Sequence, residues 1–251
     1  MVNHALYVDL AGTKQAMRSM RMTVNNLANT NTIGFQADYE TQIPVPTSTK
    51  DKMQTRVHVA SNQSYSDFTQ GPIIATGRAL DIAIDGPGFI AVQTKDGEEA
   101  YTRAGNLQIT PDGIVVTSKG DLVLSSRGVI NVPRGSRVTI SERAEVSAKL
   151  PEEAENQVLQ LGQLKLVKLP IDQIYKGPDG LFRLKEDANV DLTSQDPINV
   201  IPRSLEGSNV NPVRALTELI DISRNFEMHT KLMKTVEENA TVANQLLNIS
   251  K

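Results

Sequence analysis

Asp81 and Asp85 are the residues whose type and spacing come nearest to a reaction. They flank the alternating Ile82 and Ile84, so on a strand both carboxylates show on one face. Two acids so placed are the arrangement that cleaves glycosidic bonds, one as proton donor and the other as base or nucleophile. The remaining acid pairs, Glu98-Glu99, Glu152-Glu153 and Glu237-Glu238, are adjacent in sequence and point apart on either a strand or a helix. A sugar-stacking groove also needs aromatic faces, and aromatic residues make up only 4 % of the chain, with no Trp. Solvated surface acids are therefore the better reading of all these carboxylates, and the chain reads as a non-enzyme.

Other chemistries fare worse. The three histidines, His4, His58 and His229, lie far apart, and none has the spacing that brings two imidazoles to one metal. No metal site and no cofactor are expected. Cysteine is absent, which removes disulfides, thiolate nucleophiles and thiolate-ligated zinc together. No serine stands in a G-x-S-x-G elbow. Gly86-Pro87-Gly88 lacks the following helix and lysine of a phosphate loop and reads as a turn between strands. A net charge of −3 argues against nucleic-acid partners, which call for a basic stripe. No apolar run is long enough to span a membrane. The N-terminus has no basic region ahead of an apolar core, so no cleaved secretory signal is expected. No small-molecule substrate is implied.

The elements around these residues are of two kinds. A first helix is predicted from about Asn3 to Ala28, with Leu10, Met17 and Val24 at one heptad position and Leu6, Met20 and Leu27 at the other. A last helix starts at Asn211-Pro212, where Asn caps and Pro has no orphan N–H to lose. Along it Leu219, Phe226, Met233, Ala240 and Leu247 recur every seven residues, and Ile222, His229, Val236 and Ala243 follow three behind. At 1.5 Å per residue the helices would be about 40 and 55 Å long. Residues 36–77, rich in Pro, Ser, Thr and Gln, read as an extended, strand-poor connecting segment. From 78 to 205 the pattern is β, with short alternating runs separated by turns at Lys95-Asp96-Gly97, Pro111-Asp112-Gly113, Lys119-Gly120-Asp121 and Pro178-Asp179-Gly180. The expected fold is α+β: N- and C-terminal helices (1–35 and 206–251) paired as a coiled coil, bracketing an antiparallel all-β domain. So long an apolar stripe on the last helix exceeds what the first can cover, which points to further subunits.

Between the first helix and the β region lies Asn25-Asn26-Leu27-Ala28-Asn29-Thr30-Asn31-Thr32-Ile33-Gly34-Phe35, with four Asn in eleven residues. Asn29, Asn31 and Gly34 suit a helix end, with Phe35 as its hydrophobic contact. Asn25 and Asn26 lie inside the helix pattern, where their propensity is poor. They are either exposed or buried as register-setting amides.

That run, together with "LDIAIDGPGFIAVQ", "YTRAGNLQITPDG" and "LEGSNVNPVRALTELIDISRNFEMHTKLM", resembles the bacterial flagellar basal-body rod and hook proteins, in order and over essentially the whole chain. "LEGSNVNP" and Phe226 are more similar to the proximal-rod branch than to the distal one. The resemblance implies a structural subunit of the proximal rod, whose terminal helices form the inner core of a hollow drive shaft and whose β domain lies outside. Its partners would be other rod subunits and copies of itself. It would sit in the periplasmic rod of the basal body, exported by the flagellar type III apparatus without a cleaved signal. The expected assembly interface comprises Leu6, Leu10, Met17, Met20, Val24, Leu27, Asn25, Asn26, Asn29, Phe35, Leu219, Ile222, Phe226, Met233, Val236 and Leu247. The alternatives are a distal-rod subunit or, from a different class, a secreted peptidoglycan-cleaving enzyme working through Asp81 and Asp85.

Overall fold

The computed structural model describes residues 2–46, 57–150, 158–185 and 197–249, the side chains of 2–8, 42–46, 57–64, 240 and 243–249 excepted. The chain divides into two compact units. One comprises 1–30, 38–67 and 210–251; the other comprises 31–37 and 68–209.

The first unit holds two long helices, α1 (Val2–Ala28) and α2 (Pro212–Ile249), and a hairpin of strands β1 (Asp38–Pro46) and β2 (Val57–Ser66). Asn211 caps α2: its Oδ1 accepts from the N–H groups of Val213 (3.0 Å) and Arg214 (3.1 Å), two of the four donors that a helix start leaves orphaned. The hairpin lies within the segment expected to be strand-poor. Its strands pair antiparallel from Asp38 opposite Ser66 to Pro46 opposite Val57, with a register shift between Thr41 and Gln42. Its strands, rich in Thr, Ser, Asn and Gln, carry little apolar alternation in the sequence.

The expected coiled coil is not what the helices form. Leu10, Met17 and Val24, one full row of the predicted seam on α1, are 38, 46 and 46 % exposed. Among the described residues of α1, the buried side chains are Thr13, Gln15, Thr23 and Asn26. Two of these are turned to the hairpin: Gln15 Nε2 donates to Glu40 Oε2 at 2.9 Å, and Asn26 is bonded to the backbone of Asp38. Helix α1 thus serves two neighbours, with the polar face of Gln15 and Asn26 turned to the hairpin.

The second unit is built on an antiparallel nine-stranded sheet. Its main path runs through Ile174–Lys176, Phe182–Leu184, Glu99–Thr102, Phe89–Gln93, Leu122–Ser125, Val115–Val116 and Gln108–Ile109. The strand Phe89–Gln93 shows why the sequence reads as a nearly continuous apolar run. Ile90 and Val92 enter a large core with Ile82, Ile84, Leu107, Val123 and Val146. Phe89 and Ala91, on the opposite face, enter a second core with Tyr101, Val167 and Phe182. A strand covered on both faces has no solvent side to alternate with. The four expected turns close with backbone bonds from Gly97 to Thr94, Gly113 to Thr110, Gly120 to Thr117 and Gly180 to Gly177.

The second core is anchored by Phe68, Phe89 and Phe182, whose ring centroids lie 5.3–5.7 Å apart in tilted and edge-on arrangements. Phe182→Ala should lower the stability of this unit by about 3–5 kcal/mol, read as a shift of the urea midpoint by circular dichroism. At the turn beside it, the Arg183 guanidinium donates two bonds to Asp179 (3.1 and 2.7 Å), and these hold its carboxyl below the usual aspartate range. A depressed carboxyl contributes stability that is fully present above its unfolded value of about 3.9 and is lost as pH falls through the folded one. Asp179→Asn should therefore flatten the stability–pH curve below about pH 4. Because the pair is partly solvated, the effect should stay under about 1 kcal/mol, measured by denaturation at stepped pH.

Candidate functional site

The carboxylates that could have worked as a pair are separated by their surroundings. Asp81 is 3 % exposed, and both its oxygens are taken: Oδ1 by Arg78 Nε at 2.8 Å, and Oδ2 by Thr76 Oγ1 at 2.7 Å. Asp85 is exposed, on the rim of an open groove with Glu142 and Arg143. A carboxylate already neutralised and hydrogen-bonded has no free oxygen with which to protonate or attack a substrate. Among the described residues, no group of three acids and histidines is placed to hold a metal ion.

The Asn-rich run has a more definite structural role. Helix α1 stops at Ala28, where Asn29 Nδ2 donates to the Asn25 carbonyl (2.9 Å) and Thr30 Oγ1 to that of Leu27 (2.7 Å). Asn25 is exposed and Asn26 is buried. The Asn26 side chain accepts from Asp38 N–H at 2.9 Å and donates to Asp38 C=O at 2.8 Å, so a side-chain amide pairs with the first residue of β1 as a neighbouring strand would. Phe35 lies under Lys176, whose ammonium is 4.0 Å from the ring centroid.

Beyond the run, five segments of the second unit meet at one buried ionic cluster. Arg103 and Glu206 have 2 % and 0 % of their side chains exposed. Arg103 Nε and Nη2 each lie 2.9 Å from Glu206 Oε2, and its two terminal nitrogens also donate to the carbonyls of Gly88 and Gly86 at 3.1 Å. Glu206 Oε1 accepts in addition from Gly71 N–H (3.1 Å) and Gln36 Nε2 (3.3 Å). The Glu206 carbonyl accepts from Gly34 N–H at 2.8 Å. Gly34 is required here twice over: its φ is +67°, and a Cβ would stand 2.5 Å from the Arg103 and Ala104 backbone.

Asn209 extends the cluster to the unit's boundary. Its Oδ1 accepts from Ala37 N–H (2.8 Å), and its Nδ2 donates to Gln36 Oε1 and to the Thr69 carbonyl, both at 3.2 Å. Its N–H donates to the Phe35 carbonyl. Segments 31–37, 68–71 and 206–209 are thereby tied side by side. These are the stretches at which the chain passes between the two units, at 30/31, 37/38, 67/68 and 209/210.

Of the residues expected at an assembly interface, Met20 and Leu27 on α1 are half-buried, as are Leu219, Ile222, Phe226, Met233 and Val236 along one face of α2. The side chains of Leu6 and Leu247 lie outside the described residues. Helix α2 carries a second apolar set: Val213, Leu216, Ile220, Met228, Leu232 and Val242 are all exposed. Arg103, Glu206, Gln36 and Asn209 escape a search for chemistry because each stands alone in sequence. The available signal is a charge beside glycine, in Thr102-Arg103-Ala104-Gly105 and Leu205-Glu206-Gly207, where a missing side chain lets backbone close around an ion.

A buried charge left without its partner is expensive, and removing one member of such a pair typically costs 3–5 kcal/mol. Arg103→Met should destabilise the second unit by about that amount, and Arg103→Met with Glu206→Leu should recover most of it. Since the chain has no Trp, the denaturation curves are best followed by far-ultraviolet circular dichroism. Gly34→Ala should be destabilising through the same contact, by about 1–3 kcal/mol.

Comparison with known proteins points one way. The family profile described as Flagellar basal body rod FlgEFG protein C-terminal matches residues 202–246, and that described as Flagellar hook protein FlgE/F/G D1 domain matches 83–148. The flagellar basal-body rod protein FlgF of Salmonella typhimurium is 38 % identical over 253 residues, covering 99 % of this chain and 100 % of that protein. FlgF of Escherichia coli is 37 % identical with the same coverage. The rod protein FlgG of Agrobacterium fabrum is 29 % identical, covering 97 % of this chain and 99 % of that protein.

Proposed function

Since this chain belongs to the flagellar basal-body rod protein family, we propose that it builds the proximal part of the rod, joining copies of itself and other rod subunits in the shaft that carries torque from motor to hook. The observation that carries this reading is full-length similarity to FlgF proteins at 37–38 % identity, against 29 % for the FlgG relative. The surface supports it. Leu10, Met17 and Val24 on α1 and Val213, Leu216, Ile220 and Leu232 on α2 leave large apolar side chains in water, and burial against neighbouring subunits would return about 25 cal/mol for each Å² covered. On this reading the terminal helices carry the contacts to neighbouring subunits. Contacts of this kind need not be self-complementary, and head-to-tail contacts that do not close give a helical tube.

The subunit reaches the periplasmic rod through the flagellar type III apparatus. This follows the family resemblance and agrees with a chain free of cysteines that would mispair in an oxidising compartment. Its role is structural, with no catalytic step: Asp81 is locked by Arg78 and Thr76, so the paired-acid reading has lost one of its members.

Ile220→Asp combined with Leu232→Asp puts two charges on the exposed face of α2 and should leave the second unit's unfolding curve unchanged. In a strain lacking its own copy, this variant should fail to restore swimming on soft agar and should be missing from purified basal bodies. Normal motility would refute the assignment of that face to assembly.

A further inference from the structure

Helices α1 and α2 meet at a contact that neither rod membership nor the apolar pattern calls for. The His229 ring lies against Gly12, where an added Cβ would stand 2.7 Å from Cε1 and 3.1 Å from Nε2. Its Nδ1 is 2.5 Å from Asp9 Oδ1. Asp9 is largely buried, and its second oxygen has no hydrogen-bond partner among the described residues. One turn further on, Thr13 Oγ1 donates to the Asp9 carbonyl at 2.9 Å, which fixes the backbone of the turn that holds the carboxylate.

Each of these features costs stability on its own. Glycine inside a helix is worse than alanine by about 1 kcal/mol. A buried carboxylate oxygen without a donor forfeits hydration. Together they do what an apolar interface does poorly. Apolar side chains slide past one another from one turn to the next with small changes in energy, whereas a ring that fits only where Cβ is missing, beside its one acceptor, fits at a single axial position. We propose that Asp9, Gly12 and His229 form a register pin between the terminal helices, with His229 as key, Gly12 as slot and Asp9 as the acceptor that makes the fit exclusive. The pin decides which turn of α2 lies beside which turn of α1, and with it the relative placement of the two exposed apolar rows that neighbouring subunits would meet. The contact lies within one chain and would serve a subunit at any level of a rod.

The absence of cysteine makes the test direct, because two introduced thiols are the only labelling sites. Spin labels at Lys14→Cys and Lys231→Cys, both exposed and neither part of the pin, report the axial offset in the full-length chain by pulsed electron spin resonance. One narrow distance is expected. Gly12→Ala and His229→Ala should each broaden it or displace it by about 5 Å, one helical turn. Asp9→Asn, which keeps an acceptor, should preserve the narrow distance. His229→Asn, which keeps a small planar side chain with a donor for Asp9, should restore part of it relative to His229→Ala, a recovery that mere loss of packing does not predict. A distance that stays narrow and unmoved in both Gly12→Ala and His229→Ala overturns the proposal. So does a broad distance in the labelled chain without further substitution, or a His229→Asn variant no better ordered than His229→Ala.

Discussion

Glu206 brings a full negative charge into a place with no exposed surface, and much of the second unit is arranged to make that tolerable. A carboxylate moved out of water loses several kcal/mol of hydration, which only a close cation and a full set of donors can offset. Arg103 supplies the cation and two of the bonds, and Gly71 N–H and Gln36 supply others. Arg103 is itself satisfied by the carbonyls of Gly86 and Gly88. These donors and acceptors come from five separate stretches of sequence, around residues 36, 71, 86–88, 103 and 206. The charge can be accommodated only when the stretches are all in place, which makes their assembly an all-or-nothing event. An apolar cluster of equal size would tolerate partial assembly, because each contact there contributes separately.

The apolar part of the unit works on other terms. Phe89 and Ala91 face one core, and Ile90 and Val92 face another, so a single strand joins two hydrophobic layers. Gly88, one residue before that strand, gives its carbonyl to Arg103, and the Arg103 guanidinium also sits 5.9 Å from the Phe89 ring centroid. The ionic cluster and the aromatic core therefore share a boundary at the start of one strand. This accounts for the tight grouping of Gly86, Pro87, Gly88 and Phe89 in the sequence: close backbone approach to a guanidinium, then a large ring to cover it.

What the sequence made legible was local. Both helices lie within a residue or two of where their periodicity puts them, Asn211 caps as its position suggests, and all four turn sequences turn. These features are written in neighbouring residues. Pairing between distant elements was not. The apolar row of Leu10, Met17 and Val24 has the spacing of a seam, yet spacing states only that three residues share a face, and here that face is exposed while Gln15 and Asn26 turn to the hairpin. The β1–β2 hairpin was missed for a related reason, since strands such as Val57–Ser66, with their Ser, Asn and Gln, carry little apolar alternation. The Arg103–Glu206 pair joins residues 103 positions apart, and nothing near either one names the other. Asn26 illustrates the middle case: its poor helix propensity announced a special role, but the partner, Asp38 backbone, became visible only in three dimensions.

The side-by-side fastening of 31–37, 68–71 and 206–209 has a mechanical meaning. Each stretch continues covalently toward the other unit, so a pull or twist delivered through the chain arrives along their backbones. The bonds between them, Gly34 to Glu206, Gly207 to Pro72, and Asn209 to Phe35, Ala37 and Thr69, run across that direction. Such bonds are loaded in shear and must give way together, unlike the bonds of a peeled hairpin, which open one after another at low force. A fastening made this way holds at small load and has a sharply defined yield point.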